Sequence, residues 1–506
     1  MSTNNQVLAM YDVRGIQNYI YKTNKIKEII GASLIVENII TEGLKEYSSK
    51  KNVKALIDWE DNAVSPWNAM EKDSELEFQV LFIGGGNAYV LFRNEEECIE
   101  ANKCLSKYVL EKTYSLQLAV AFVEKTDSYK DDYKKLNQEL AAIKMRMNDS
   151  KPLGLQPFMA SDSLTGFPLA KGYNGVEKKE YICTERYLKL KASEGKLENE
   201  KILDKMISGK GDKSTLAVVH IDGNNMGKRI KNIMQDRYTY EDAIPAMRQI
   251  SLNVRNTFER AYKVAEDKIT DLMGKPGYSR KVILAGDDIT FVCNASTAIR
   301  ATEVFIKECM KADMFKDSSL SDEDNHKIYG FSACAGIAFF NSHFPFSDAY
   351  KVAEECCDEG AKKIAKDENR VEEIGDVKRI GSFIDYQICT HIKAADIESY
   401  REKNYVIDGE NVLFRPYYIK EQNESQLDNK NMEKDINILW NNLKVFQNDK
   451  DRSHSKMLRN AISVGKSEKE KTKTFLESRK VKLPETDAMS WYDALEIMDI
   501  CKVEEA

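Results

Sequence analysis

The stretch Val282-Ile-Leu-Ala-Gly-Asp-Asp-Ile-Thr-Phe-Val-Cys293 constrains this chain more than any other. Two short runs of β-forming residues flank Gly286-Asp287-Asp288, the pattern of a tight hairpin with two carboxylates at its tip. Adjacent acids in a buried turn repel each other unless something cationic lies between them, and a divalent metal is the usual solution. A Gly-Asp pair is also ordinary turn chemistry, so the stretch alone leaves open a solvated hairpin. A further acid upstream shifts the balance. In Leu216-Ala-Val-Val-His-Ile-Asp-Gly-Asn-Asn-Met-Gly-Lys228, a run of strand character ends at Asp222, and a Gly/Asn turn then opens a helical segment. A strand that stops at an acid, beside a hairpin carrying two more, is the layout in which carboxylates hold two Mg²⁺ or Mn²⁺ ions for nucleotidyl transfer.

Together the two stretches resemble the catalytic palm of the large subunit of type III CRISPR effector complexes, a family related to GGDEF and class III cyclases. That family carries an Asp-x-Asp-x-Leu/Met-Gly strand end and a Gly-Gly-Asp-Asp hairpin. Phe331-Ser-Ala-Cys-Ala-Gly-Ile-Ala-Phe339, followed by Ala353-Glu-Glu and Ala361-Lys-Lys, is similar to its last palm strand and the helix whose lysine grips a triphosphate. The resemblance implies conversion of ATP into cyclic or linear oligoadenylate messengers in antiviral defence. Two departures stand out: Ala285 replaces the first glycine of the hairpin motif, and Asn224 replaces the second acid of the strand motif.

The opening of the chain reads as a second copy of this architecture. Gln6 to Tyr11 form a strand candidate ending at Asp12, and Lys25 to Ile40 are apolar at helical spacing around Gly31-Ala32-Ser33. Val80-Leu-Phe-Ile-Gly-Gly-Gly-Asn-Ala-Tyr-Val-Leu-Phe92 repeats the hairpin without a gap, with Gly86 at the place of Asp287 and Asn87 at that of Asp288. Leu116 to Val123 echo Phe331 to Phe339. The reading is an internal duplication whose N-terminal copy has lost its hairpin carboxylates.

The expected fold is therefore α+β: two ferredoxin-like (βαββαβ) palms, a connector and a helical C-terminal domain. The boundaries are 1–150 for the first palm, 151–213 for the connector, 214–386 for the catalytic palm and 387–506 for the helical end. Relatives often bind zinc in the connector. Here Leu164-Thr-Gly-Phe-Pro-Leu-Ala170 has only Cys183 nearby, so structural zinc is not expected. Ile244, Met247, Ile250, Val254, Phe258 and Tyr262 recur at helical spacing as core positions, and Leu439, Leu443 and Phe446 form an apolar stripe.

The metal ligands implied are Asp222, Asp287 and Asp288, with the carbonyl of Gly223 as a backbone candidate. The nucleotide-binding set implied is Asn224, Asn225, Gly227, Gly286 and one or other of Lys362 and Lys363. Asn224 and Asn225 are equally readable as plain turn residues, and the lysine pair as a solvated helix face.

Composition bounds the rest. A net charge of −7 argues against coating nucleic acid by bulk electrostatics, without excluding a local basic groove. No apolar run approaches the ~18–20 residues of a membrane span. The ten cysteines are scattered, the usage of a reduced, cytoplasmic protein. None of His220, His326, His343, His391 or His454 precedes an aspartate. The chain starts directly on a palm strand, so neither a His-Asp nuclease domain nor DNA cutting is expected. The partners expected are ATP, with guide RNA and other effector-complex subunits or a homodimer. A palm-dimer cyclic dinucleotide synthase and a non-catalytic scaffold that binds RNA or subunits remain alternatives.

Overall fold

The computed structural model describes residues 6–503 except 85–86, 148–157, 175–178, 195–202, 204–205, 208–213, 375–376, 390–395, 422–425 and 449. Gly86 and His391 thus lie outside the described residues. The chain divides into two compact units. The first comprises 1–200, 226–256 and 285–287; the second comprises 201–225, 257–284 and 288–506.

In the first unit, β1 (Val7–Arg14), β2 (Ala55–Leu56), β3 (Phe78–Gly84), β4 (Asn87–Phe92) and β5 (Gln117–Glu124) make a sheet of order β2-β3-β4-β1-β5. The helix Ile26–Lys51 separates β1 from β3, and Glu95–Thr113 separates β4 from β5. Tyr11, Phe78, Phe82 and Phe92 fill its core with almost no exposure. Asn94 caps the second helix by accepting the Glu97 N–H at 2.8 Å.

Residues expected to connect the palms fold onto this unit. β6 (Leu169–Asn174) pairs with β7 (Lys179–Cys183), and the helix Thr184–Ser193 follows. The Asp162 carboxylate accepts the N–H groups of Leu164, Thr165 and Cys183 and pairs with buried Arg186 at 2.7 Å. Arg186 also meets Glu28 at 2.8 Å, so a buried ion-pair network ties the element to the helix Ile26–Lys51. Gly31 lies at the close approach: a Cβ there would come within 1.8 Å of the Lys189 carbonyl oxygen.

In the second unit, β8 (Thr215–Gly223), β9 (Ser279–Ala285), β10 (Asp288–Asn294) and β11 (Ala333–Asn341) repeat the same order, β11-β8-β10-β9. The helices Tyr240–Met273, whose residues to 256 group with the first unit, and Ala298–Cys309 occupy the corresponding connections. Of the six helical core positions expected from spacing, Ile244, Ile250, Val254, Phe258 and Tyr262 are buried and Met247 is partly so.

The sheet does not stop at 386. A short β12–β13 hairpin (Glu372–Ile374 with Val377–Arg379) precedes β14 (Ser382–Ile388), which pairs in parallel with β11. After a two-residue ladder of β15 (Val406–Ile407) and β16 (Glu410–Asn411), β17 (Tyr417–Ile419) adds to β14 as the sixth strand. The C-terminal segment is thus not purely helical, because Tyr417, Tyr418 and Ile419 bury completely on the sheet edge. Beyond it the helices pack as the stripe predicts, with Leu439, Leu443 and Phe446 buried. All ten cysteines are free thiols. Among the described residues no helix is long and apolar enough to cross a membrane.

Candidate active site

β8 is built of Leu216, Ala217, Val218, Val219 and Ile221, all fully buried, which fixes it at the centre of its sheet. It ends where Gly223 pairs with Ala333 and Asn225 takes a left-handed φ of 54°. The hairpin strand β10 begins at Asp288, after a turn in which Gly286 holds a φ of 68°. Register sets Asp288 directly opposite Asp222, and two residues on it sets Thr290 opposite His220. Side chains two apart on a strand share a face, so these four form one block on one side of the sheet.

Above the block runs the helix that begins at Phe346. It is regular to Glu355, widens into a π-helical turn over Cys356–Ala361, and resumes at Lys362–Ala365. Its approach to the sheet depends on Gly336: a Cβ there would lie 1.9 Å from the Ala353 carbonyl oxygen and 2.4 Å from the Cys357 nitrogen. Across the π turn, Gly360 faces Asp385, and a Cβ would meet its Oδ2 at 1.9 Å.

This geometry resolves the lysine pair. The Lys362 ammonium reaches down to Asp222 and also bonds Asp358 at 2.7 Å one turn back. Burial works against its charge, but Cys357, Asp222 and Asp358 hold its pKa above the ordinary lysine value. Lys363 points elsewhere, to Glu398 at 2.9 Å, and is exposed.

Asp288 has the strongest electrostatic signature. Burial first, then the Asp222 and Glu354 charges, push its carboxyl up to about 8, against the opposing pull of Lys362. Its Oδ1 is a buried acceptor with no aligned hydrogen bond. The nearest donor is His220 Nδ1 at 3.2 Å, within ion-pair distance but off the hydrogen-bond direction; that nitrogen is also 3.3 Å from Thr290 Oγ1. Burial lowers the His220 pKa, so the ring is neutral at physiological pH. The ring packs edge-on against Tyr350, whose hydroxyl donates to Glu354 at 3.0 Å.

The other expected residues fall differently. Asn224 is buried, and its amide nitrogen donates to the Gly381 carbonyl at 3.1 Å and Ser332 Oγ at 3.3 Å, while its backbone N–H meets the Ser332 carbonyl at 2.9 Å. Its side chain locks strand ends together, the turn reading of that residue. Gly227 is exposed, and a built Cβ would meet nothing within 4 Å. Gly227, Gly286 and Asp287 group with the first unit, whereas Asp222, Gly223, Asn224, Asn225, Asp288, Lys362 and Lys363 belong to the second. Among the described residues no three His, Cys, Asp or Glu side chains gather as a metal site. Two acids converge, and Lys362 supplies the positive charge beside Asp222.

That pair still fits a divalent cation. Asp288, held protonated near neutrality by burial and then by the Asp222 and Glu354 charges, bears an unsatisfied buried oxygen opposite a carboxylate whose only cation is the Lys362 ammonium, a donor set that a divalent ion would satisfy. His220, which sequence reasoning did not place among the site candidates, stands on the same face as the two acids. The available signal was its place two before Asp222 on an otherwise apolar strand, where a polar side chain must share the acid's face.

Residues 215–371 match the family model described as Cas10/Cmr2, second palm domain. Among solved structures, Csm1 in T. onnurineus is 14% identical at a TM-score of 0.46, covering 99% of this chain and 70% of that one. A Csm1-Csm4 cassette in complex with cA4 is 15% identical at 0.44, covering 98% and 69%. The apo Csm1-Csm4 cassette is 14% identical at 0.47, covering 98% and 70%. No curated protein matches the chain.

Proposed function

We propose that this chain, whose residues 215–371 are a second palm domain of the Cas10/Cmr2 kind, is a nucleotidyltransferase making cyclic or linear oligoadenylates from ATP in CRISPR or CRISPR-like defence. The observation that carries the reading is the opposition of Asp222 and Asp288 on adjacent strands, with Lys362 reaching Asp222 from the helix above. In this reading the two palms are ferredoxin-like, and the second does the chemistry.

A ribose hydroxyl of one nucleotide attacks the α-phosphorus of the next, and the bond to pyrophosphate breaks. Asp222 and Asp288 would hold the divalent cation, Mg²⁺ or Mn²⁺, with Asp287 beside them in sequence. When bound, that cation acidifies the attacking hydroxyl and neutralises the leaving phosphates. Lys362 moves its charge from Asp222 to the β- and γ-phosphates, which exchanges one anionic partner for another.

The non-catalytic scaffold is favoured by one observation, the neutralisation of Asp222 inside the protein by Lys362. One experiment separates the two. The purified protein, with and without guide and target RNA, is incubated with each nucleoside triphosphate and Mg²⁺ or Mn²⁺, and products are identified by mass. Oligoadenylates and pyrophosphate are expected, and none from Asp222→Ala. RNA binding by both proteins with no product from any nucleotide would establish the scaffold instead.

A further inference from the structure

We infer that Arg401, through Asp385, is a positioning residue for Lys362: the pair braces the π turn and fixes the helix phase that aims Lys362 at Asp222. The inference rests on the proposed contact between Lys362 and the triphosphate of ATP.

Phase decides which side chain the helix presents at the acid. A regular helix turns about 100° per residue. The π turn over Cys356–Ala361 takes up one residue more than an α turn does. Were it to close into regular helix, the place of Lys362 would pass to Ala361, which carries no charge. A π turn is rare on its own account, so one that sets a functional side chain needs support from its surroundings.

That support is built from β14 and the helix Ile397–Tyr405. Asp385 is fully buried on β14, and a Cβ on Gly360, inside the turn, would come within 1.9 Å of its Oδ2. Arg401 grips that carboxylate with both arms of its guanidinium, Nη1 to Oδ2 at 2.7 Å and Nη2 to Oδ1 at 3.0 Å. The Tyr386 N–H donates to Oδ1 at 2.7 Å and holds it from the strand side. The same Nη2 lies 3.7 Å from Cys356 Sγ, where the turn begins. Glu355, just before the turn, accepts the Ile397 N–H at 2.9 Å, and Lys363, just after it, pairs with Glu398 at 2.9 Å. The turn is held at its entry, its middle and its exit.

The first unit shows the other solution. There Lys144 meets Asp12 from a regular helix capped by Ser128. Arg14, two residues past the acid, holds the end of that helix by the Met147 and Lys144 carbonyls. The residue two past Asp222 is Asn224, which bonds Gly381 and Ser332 instead. Lys144 lies fifteen residues beyond the helix start at Tyr129, and Lys362 sixteen beyond Phe346, the one-residue difference that a π turn supplies. Where the strut from the strand end is missing, Arg401 and Asp385 stand in its place.

The test is the affinity of the full-length protein for α,β-methylene-ATP with Mg²⁺, measured by isothermal titration. The cycle comprises wild type, Arg401→Met, Lys362→Met and both together. Each single substitution is expected to weaken binding about 10-fold, the loss of one contact to a charged group. The combination is expected to stay within about 2-fold of Lys362→Met alone, because a misplaced lysine that is already gone costs nothing more. Unchanged affinity in Arg401→Met overturns the inference. So does a further loss of about 10-fold in the combination, which general damage to the fold would give. Arg401→Met leaves Asp385 buried without its partner and can fail to fold for that reason. In that event Arg401→Met with Asp385→Asn, where Arg415 keeps Asp493 and Glu496, enters the same cycle and decides. Wild-type affinity in Lys362→Met would instead remove the phosphate reading beneath the inference, a result distinguishable from failure at Arg401 alone.

Discussion

The two sheets of this chain place an acid at the same point of the same central strand, and they use it differently. Asp12 faces Asn87, whereas Asp222 faces Asp288. Both acids are met by a lysine from the helical segment after the edge-side neighbour strand, Lys144 after β5 and Lys362 after β11. Past the acid the copies diverge. Arg14 donates to the Met147 carbonyl at 3.0 Å and the Lys144 carbonyl at 3.4 Å, closing the C-terminal end of Tyr129–Arg146, while Asn224 ties strand ends together. The difference teaches that a lysine–aspartate pair is a sufficient structural unit in this fold. A second acid opposite it is a burden that structure alone does not call for, since like charges directly opposite on a sheet are destabilising.

The sharpest break in the comparison is substitution of the paired positions. Asp288→Ala is expected to lower oligonucleotide formation by about 100-fold or more, as loss of a principal charge-stabilising group does. Asn87→Ala is expected to change it about 2-fold or less. Equal losses, followed by mass analysis of products from ATP, would mean that the first hairpin takes a direct part.

The lysines sharpen it next. Lys362→Met is expected to cost about 10-fold or more in turnover, because a charge-assisted contact to phosphate is lost. Lys363→Met, which breaks only an exposed pair with Glu398, is expected to stay within about 2-fold. The reverse ranking in steady-state assays would put the helix in a different phase from the one described.

Packing supplies a third contrast. Gly336 stands opposite His220 in the second unit, and Ala121 stands opposite Met10 in the first. Gly336→Ala forces a methyl into the Ala353 carbonyl and is expected to destabilise by about 3 kcal/mol. Ala121→Gly removes a methyl and is expected to cost about 1 kcal/mol. Denaturant unfolding of the two variants measures both.

The smallest effect is a pH dependence. The Asp288 carboxyl, raised to about 8 when folded, lies above its unfolded value of about 3.9, so the folded state binds the extra proton. Stability from this group is fully present below pH ~4 and is lost as pH rises through about 8, the reverse of an ordinary paired carboxylate. Asp288→Asn is expected to flatten that decline by a few degrees in Tm between pH 6 and 9, and saturating Mg²⁺ to flatten it in the wild type. Parallel Tm-against-pH curves for the two proteins would show that Asp288 ionises normally.

Local chemistry made much of this legible in the sequence. Apolar runs bounded by Asp222, by Gly286-Asp287-Asp288 and by Asn225 give strand ends and a hairpin, because burial and turn conformation are written residue by residue. The gapless match of Leu81–Phe92 to Val282–Cys293 predicted a register that the ladders reproduce at Asn87 and Asp288. What sequence left open is what the third dimension decides. Lys362 and Lys363 are indistinguishable on a regular helix, but the π turn over Cys356–Ala361 inserts a residue and shifts the phase of all that follows. Asn224 looked available for a ligand until Ser332 and Gly381, more than a hundred residues away, closed on it. His220 looked like an isolated histidine until β10 laid Asp288 and Thr290 beside it. The sheet's extension through β14 and β17 depends on an edge that no local pattern announces. Sequence by itself determined where the strands around Asp12, Asn87, Asp222 and Asp288 lie and which copy keeps its acids. Tertiary structure alone decided which side chain each acid meets, because partners distant along the chain are chosen by register and helix phase.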